Sequence, residues 1–298
     1  MPSSYFSAPS RNLDPALFSG IGRLRSDVRE GLLNTLYSGL EDDLDLHEPW
    51  NWVRAWLAGS AISYQWEANR GESDLDILFG ADYPQFLADN PEFPALSLSE
   101  VSEYVTNRLK QTLWQKTSRW NIHGRTFEAT FFWNATTADD ISNIHPYAAY
   151  NLTYDRWDIK PPELPEDPHG LYPQDWYDVG DRDHDRALSA KASIDKSYAM
   201  GDIYRDQGVR EARSLWETIH AGRRQAFSDI GHGYGDFHNF RWQRAKETGV
   251  VDILRPVIDE DDARKKASDQ VDYGTDLPPA RDLITRAALR YGSPRYGQ

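Results

Sequence analysis

The chain contains no cysteine. That excludes disulfides, thiolate metal sites and cysteine nucleophiles, so any chemistry here must use oxygen and nitrogen groups. No stretch approaches the 18 or more apolar residues of a membrane span. The opening MPSSYFSAPSRNLDPALF lacks the basic start and apolar run of a secretory signal. The expectation is a soluble cytoplasmic protein with no membrane association. Positive charge is also scarce, with 33 Lys and Arg against 47 Asp and Glu, a net charge of −14. Proteins that track long nucleic acids carry excess basic charge, so a long duplex or strand is disfavoured as a partner. A local basic groove is still allowed, because binding follows the local field and not the sum. P-loop, Rossmann glycine, HExxH and Gly-x-Ser-x-Gly patterns are all missing.

Aromatic residues, by contrast, are plentiful: 11 Trp, 16 Tyr and 11 Phe in 298 residues. Such a chain packs a core and needs no staple, since a chain of this length buries roughly 75% of its unfolded surface. Leu24, Val28, Leu32, Leu36 and Leu40 recur every four residues and predict a helix over residues 21–45. Residues 52–58 form an apolar run suited to a buried strand, broken by Gly59-Ser60, with a short helix expected over 61–67. A second strand is expected over 72–80. A helix follows from Ser99, taken as N-cap, with Val101, Val105, Leu109 and Leu113 as its apolar stripe. Residues 125–133, rich in Phe and Thr, predict a third strand.

Pro161, Pro162, Pro165 and Pro168 then mark a composition break. Beyond it, helices are expected over 186–206, 208–228, 236–247 and 280–291. The order is helix–strand–strand–helix–strand and then mostly helix, an α/β (α+β) chain. The domain division is 1–165 for a catalytic domain, 166–185 for a linker and 186–298 for a helical domain.

The segment that carries chemistry is Leu57-Ala58-Gly59-Ser60 followed, after a spacer of thirteen residues, by Asp74-Leu75-Asp76-Ile77. Residues two apart on a strand share a face, so Asp74 and Asp76 project together while Leu75 and Ile77 enter the core. Two carboxylates about 4 Å apart repel by roughly 4 kcal/mol at an effective dielectric of 20. A fold keeps such a pair when the two share a dication. Hard oxygen ligands suit Mg²⁺ or Mn²⁺. Gly59 lets backbone approach a phosphate, Ser60 offers a hydroxyl and an N–H, and a helix opening there would add its N-terminus. This set suits transfer of a nucleoside monophosphate.

On these residues the chain resembles the DNA polymerase beta-like nucleotidyltransferase superfamily. Its pattern is an apolar residue, Gly with Gly or Ser, a spacer, and two carboxylates one residue apart between apolar residues. The likeness covers about residues 22–133. It implies a small mixed sheet flanked by helices with a mainly helical domain behind it, and a third carboxylate on a later strand. Glu128, in Thr126-Phe127-Glu128-Ala129-Thr130, has the neighbours that pattern requires, although the family usually has Asp there. Asp139 and Asp140 are fallback candidates. The resemblance also implies that Gly59, Ser60 and Ser73 meet the nucleotide. By position and type, Lys191, Lys196 and Tyr198 would reach it from the helical domain.

The implied reaction moves a nucleoside monophosphate from a nucleoside triphosphate, with Mg²⁺ or Mn²⁺, onto an acceptor hydroxyl and releases pyrophosphate. The acceptor is a small molecule, a nucleotide, an RNA end or a protein. The alternative is a non-catalytic nucleotide- and metal-binding sensor or interaction module on the same fold.

Three further segments carry weaker signals. Arg223-Arg224 suits bidentate phosphate contacts or an ordinary basic surface. Residues 231–239, with His232, Asp236 and His238 among glycines, suit a tight loop, a lid or a metal site. Residues 181–185 form an alternating charge run, read as a solvated stretch at a helix start.

Overall fold

The computed structural model describes residues 4–20, 22–66, 73–93, 96–135, 140–200 and 202–273, of which 198–200, 202 and 269–273 are described as backbone only. They divide into two compact units: residues 8–166, and residues 167–273 together with 4–7. The boundary falls beside the expected one at 165, within the proline-rich stretch.

The first unit is a six-stranded mixed sheet with flanking helices. Helix α1 (Ser26–Ser38) buries Val28, Leu32, Leu33 and Leu36 and runs into a π-helical turn, Gly39–Asp43. After the short α2 (Pro49–Trp52) come β1 (Val53–Ala58), β2 (Ser73–Ala81), α3 (Tyr83–Asp89), α4 (Leu98–Thr117), β3 (Trp120–Ile122), β4 (Arg125–Trp133), β5 (Ala149–Asn151) and β6 (Arg156–Ile159). The sheet order is β3-β4-β2-β1-β5-β6. Among the described residues only β2 and β4 pair in parallel, as the intervening α4 crossover requires.

Two corrections follow locally. The N-cap of α4 is Ser97, which forms a full capping box with Glu100, in place of the expected Ser99. The expected helix over 61–67 is a single 3-10 turn, Ser60–Ile62. Strand β3 had no sequence reading. It arises because His123 and Gly124, both with positive φ, form a two-residue hairpin turn that folds it back on β4.

One sheet face is core. Leu75, Ile77 and Phe79 of β2 lie level with Ala129, Phe131 and Trp133 of β4, and all are buried. Val101, Val105, Leu109 and Leu113 of α4 are buried too, and Leu109 and Leu113 close on Gly39, where a Cβ would stand 3.0 Å from each. An aromatic group of Trp52, Phe79, Phe86 and Trp133, with centroids 5.0–5.6 Å apart, fills one end. Burying one such ring stabilises by about 1.5–3 kcal/mol.

The second unit holds α5 (Gln174–Met200), α6 (Asp202–Ala226), α7 (Phe237–Glu247) and α8 (Val250–Tyr273). Its core gathers Ala187 and Ala190 of α5, Ala212, Leu215 and Ile219 of α6, Trp242 and Ala245 of α7, and Val250 and Leu254 of α8. The expected linker over 166–185 is therefore largely the first turns of α5. Trp176 and Tyr177 anchor those turns against Phe240. In the charge run, Asp183 is 3% exposed and takes two hydrogen bonds from Arg241 at 2.5 and 2.8 Å, so it is a buried pair and not solvated. Gly208 does not interrupt a helix: a Cβ there would lie 2.6 Å from the Ala190 carbonyl, so glycine allows α5 and α6 to touch. Helix α8 had no sequence reading, and Pro256 lies inside it. The helix expected over 280–291 lies outside the described residues.

Candidate active site

The antiparallel pairing of β1 with β2 sets Ala58 opposite Asp76. The chain leaves β1 through Gly59, whose φ of 89° and ψ of −172° only glycine adopts freely. A Cβ at Gly59 would stand 2.8 Å from Oδ2 of Asp76, so the missing side chain makes room for that carboxylate. Ser60 follows, exposed, and its carbonyl accepts hydrogen bonds from the Ser63 N–H at 3.1 Å and hydroxyl at 2.7 Å. One 3-10 turn carries little dipole, so the phosphate-binding helix N-terminus expected at Ser60 is not formed.

The parallel ladder supplies the third acid. Asp74 is the register partner of Glu128, and Asp76 that of Thr130. Register partners share a face, so Asp74, Asp76, Glu128 and Thr130 all project from the side opposite the core. Asp74 is exposed, and the other three are half-buried. The Thr130 hydroxyl donates to Oδ1 of Asp76 at 3.4 Å, a long bond that ties β4 to the central carboxylate. Thr130 was not singled out from the sequence; only the register reveals it.

Further along the same face, Trp56, Ala58, Leu78 and Ala149 are covered by Ile141 and Ile144 of a 3-10 turn, with Phe132 packed beside them. The acids therefore occupy the open half of a face whose other half is closed by apolar packing. Asp140, a fallback candidate, is the cap of that turn. Its carboxylate accepts from the Ser142 N–H at 2.9 Å and hydroxyl at 2.6 Å, and these bonds hold it below its ordinary pKa. Asp139 lies outside the described residues.

The structure does not bring Ser73 to this group. It is one residue out of phase with Asp74, 3% exposed on the core face, and its hydroxyl accepts from Arg125 at 3.0 Å. Arg125 also pairs with the buried Asp14 and lies over the Trp66 and Phe127 rings, which makes it a structural clamp. Lys191 and Lys196 are exposed on α5, and Lys191 is engaged by Asp195 one turn on at 2.8 Å. The side chain of Tyr198 lies outside the described residues. In the 231–239 segment, the Tyr234 carbonyl is held by the Tyr5 hydroxyl and the Asn239 amide, both at 2.8 Å, and Asp236 caps α7.

The donor set of three carboxylates and a hydroxyl fits a hard divalent cation by its chemistry. The acid side chains are spread along their face: among the described residues, no three acidic or histidine side chains are grouped tightly enough to hold one ion. Compared with protein-family models, curated proteins and solved structures, the chain matches none.

Proposed function

We propose that this protein is a metal-dependent nucleotidyltransferase acting at the open end of the β1–β2–β4 face. The observation that carries the reading is the register: Asp74 directly opposite Glu128 in a parallel pair, with Asp76 beside both Gly59 and Thr130. Three acids on one exposed face repel one another, and a fold retains that arrangement where cations and phosphates are the intended company.

In this reading Asp74 and Asp76 would hold Mg²⁺ or Mn²⁺, and Glu128 would be drawn in as a third ligand. The bound cations would supply charge neutralisation for the departing pyrophosphate and acidify the acceptor hydroxyl. Gly59 gives the triphosphate access to backbone at the end of β1, and the exposed Ser60 hydroxyl offers it a hydrogen bond. Glu128 takes the acceptor proton. The acceptor oxygen bonds to the α-phosphorus as the α–β anhydride bond breaks and pyrophosphate leaves. Thr130 orients Asp76 and touches no substrate. Most of the work is positioning and electrostatics.

The test incubates the full chain with each nucleoside triphosphate, Mg²⁺ or Mn²⁺ and representative acceptors, and measures pyrophosphate. Release that disappears in Asp76→Asn supports the proposal. Metal-dependent nucleotide binding without pyrophosphate, whatever the acceptor, supports the sensor module. Absence of both ends the reading.

A further inference from the structure

The α6–α8 pair treats its arginines differently at its two ends. Toward one end, Arg205 pairs with Glu260 at 3.6 Å, and Arg213 with Asp261 and Asp262 at 2.7 and 2.6 Å. Toward the other, Arg223 and Arg224 stand in the last turn of α6, three and four residues beyond His220, and their charges act on its imidazole together with that of Arg255 of α8. Neither Arg224 nor Arg255, both exposed, has a carboxylate within 4.0 Å among the described residues.

The imidazole sits in an aromatic stack. His220 lies 4.2 Å from the Trp216 ring and 4.6 Å from Trp242, and the Arg223 guanidinium lies over Trp242 at 5.0 Å. Nε2 of His220 is buried without a hydrogen-bond partner. So is Nδ1 of His238 on α7, against which Gly222 packs so closely that a Cβ would fall 2.7 Å away. Burial first, and then the three arginines, push the His220 pKa down, so the imidazole stays neutral and the positive charge stays on the guanidinium groups.

The helix dipole explains part of this. Cations in the last turn of α6 balance its carbonyl end. Arg255, however, stands in the second turn of α8, near the end where that helix is already positive. In a chain of net charge −14, two exposed arginines without acid partners among the described residues, beside a third, suit an external anion. We propose that this corner of α6, α7 and α8 binds a compact phosphate group of the di- or triphosphate class, gripped by the guanidinium forks of Arg224 and Arg255 beside Arg223. A long nucleic acid fits poorly, because a single corner meets one or two phosphates and the net charge opposes the rest. The proposal uses none of the carboxylates of the candidate active site.

The test follows the ring signals of His220 and His238 by NMR in the labelled full chain, without divalent cations, while tripolyphosphate is added. Saturable shifts of both, and a rise in the His220 titration midpoint, are expected; chloride at matched ionic strength should give neither. Arg224→Ala with Arg255→Ala should weaken binding roughly tenfold or more. Arg224→Lys with Arg255→Lys should fall between the alanine pair and the native chain, because charge remains and the fork is lost. Asp74→Asn should bind as the native chain does, which separates this site from the nucleotidyltransferase reading. No saturable shift, equal affinity in the alanine pair, or tighter binding of a single-stranded oligonucleotide than of tripolyphosphate at the same salt would overturn the proposal.

Discussion

The two faces of the β2–β4 ladder share the same backbone register but follow opposite rules. On one, Leu75, Ile77, Phe127, Ala129 and Phe131 are at most 4% exposed. On the other, Asp74, Asp76, Glu128 and Thr130 stand level with one another and keep access to solvent. The first face lowers the free energy of the fold. The second buries no such apolar set at these positions, and in the proposed function it faces the ligand. Substitutions on the two faces should therefore separate stability from activity.

Phe127→Ala, on the core face, should show the largest effect, a loss of about 3–5 kcal/mol in chemical denaturation. A substitution on the opposite face should behave in the opposite way. Asp76→Asn should reduce pyrophosphate release by more than about 100-fold, since even outer partners of metal ligands cost about 10–100-fold, while the melting temperature is retained. A large melting shift in Asp76→Asn without loss of turnover would erase the contrast.

Gly59→Ala joins the two faces. The Gly-only backbone and the clash with Asp76 predict a loss of about 1–3 kcal/mol together with lower turnover. Thr130→Val removes one hydroxyl at nearly constant volume. It should lower turnover about tenfold through Asp76 and leave stability almost unchanged.

The smallest effect lies away from both faces, at Asp155. The hydrogen bond from Arg23, working against partial burial and joined by one from Tyr150, holds this carboxyl below its ordinary pKa. The folded form thus binds fewer protons than the unfolded one. The stabilisation is complete above the ordinary carboxylate range and is lost as pH falls through the depressed value. Melting curves from neutral to acid pH should show a shallower decline for Asp155→Asn than for the native chain.

Much of this was legible in residue order. The four-residue spacing from Val28 to Leu40 and the alternation in 125–133 are local signals, and they mark the helix and the strand found there. Helix α8 was not among the expected helices, although Val250, Leu254 and Ile258 recur every four residues, and Pro256 lies inside it. It persists because Val250, Val251 and Leu254 bury against three other helices, which outweighs a hydrogen bond lost at one proline. Strands β5 and β6, three and four residues long, carry too few side chains for a period to appear. Strand β5 forms because β1 offers an edge to pair with, and β6 pairs in turn with β5. Ser73 was misplaced for a related reason: it belongs to the acid motif in sequence, but the period of two turns it to the core.

Composition and short-range pattern alone determined the kind of chemistry open to this chain, since no thiol exists and hard oxygen donors cluster at Asp74 and Asp76. They also set those two side chains on one side of a strand, because alternation is a property of the backbone itself. Only the tertiary structure put Glu128 level with Asp74, brought Thr130 to Asp76 across 54 residues of chain, and closed half the face with Ile141 and Ile144. The reason is that register between strands is chosen by the whole core at once, and no single segment contains that information.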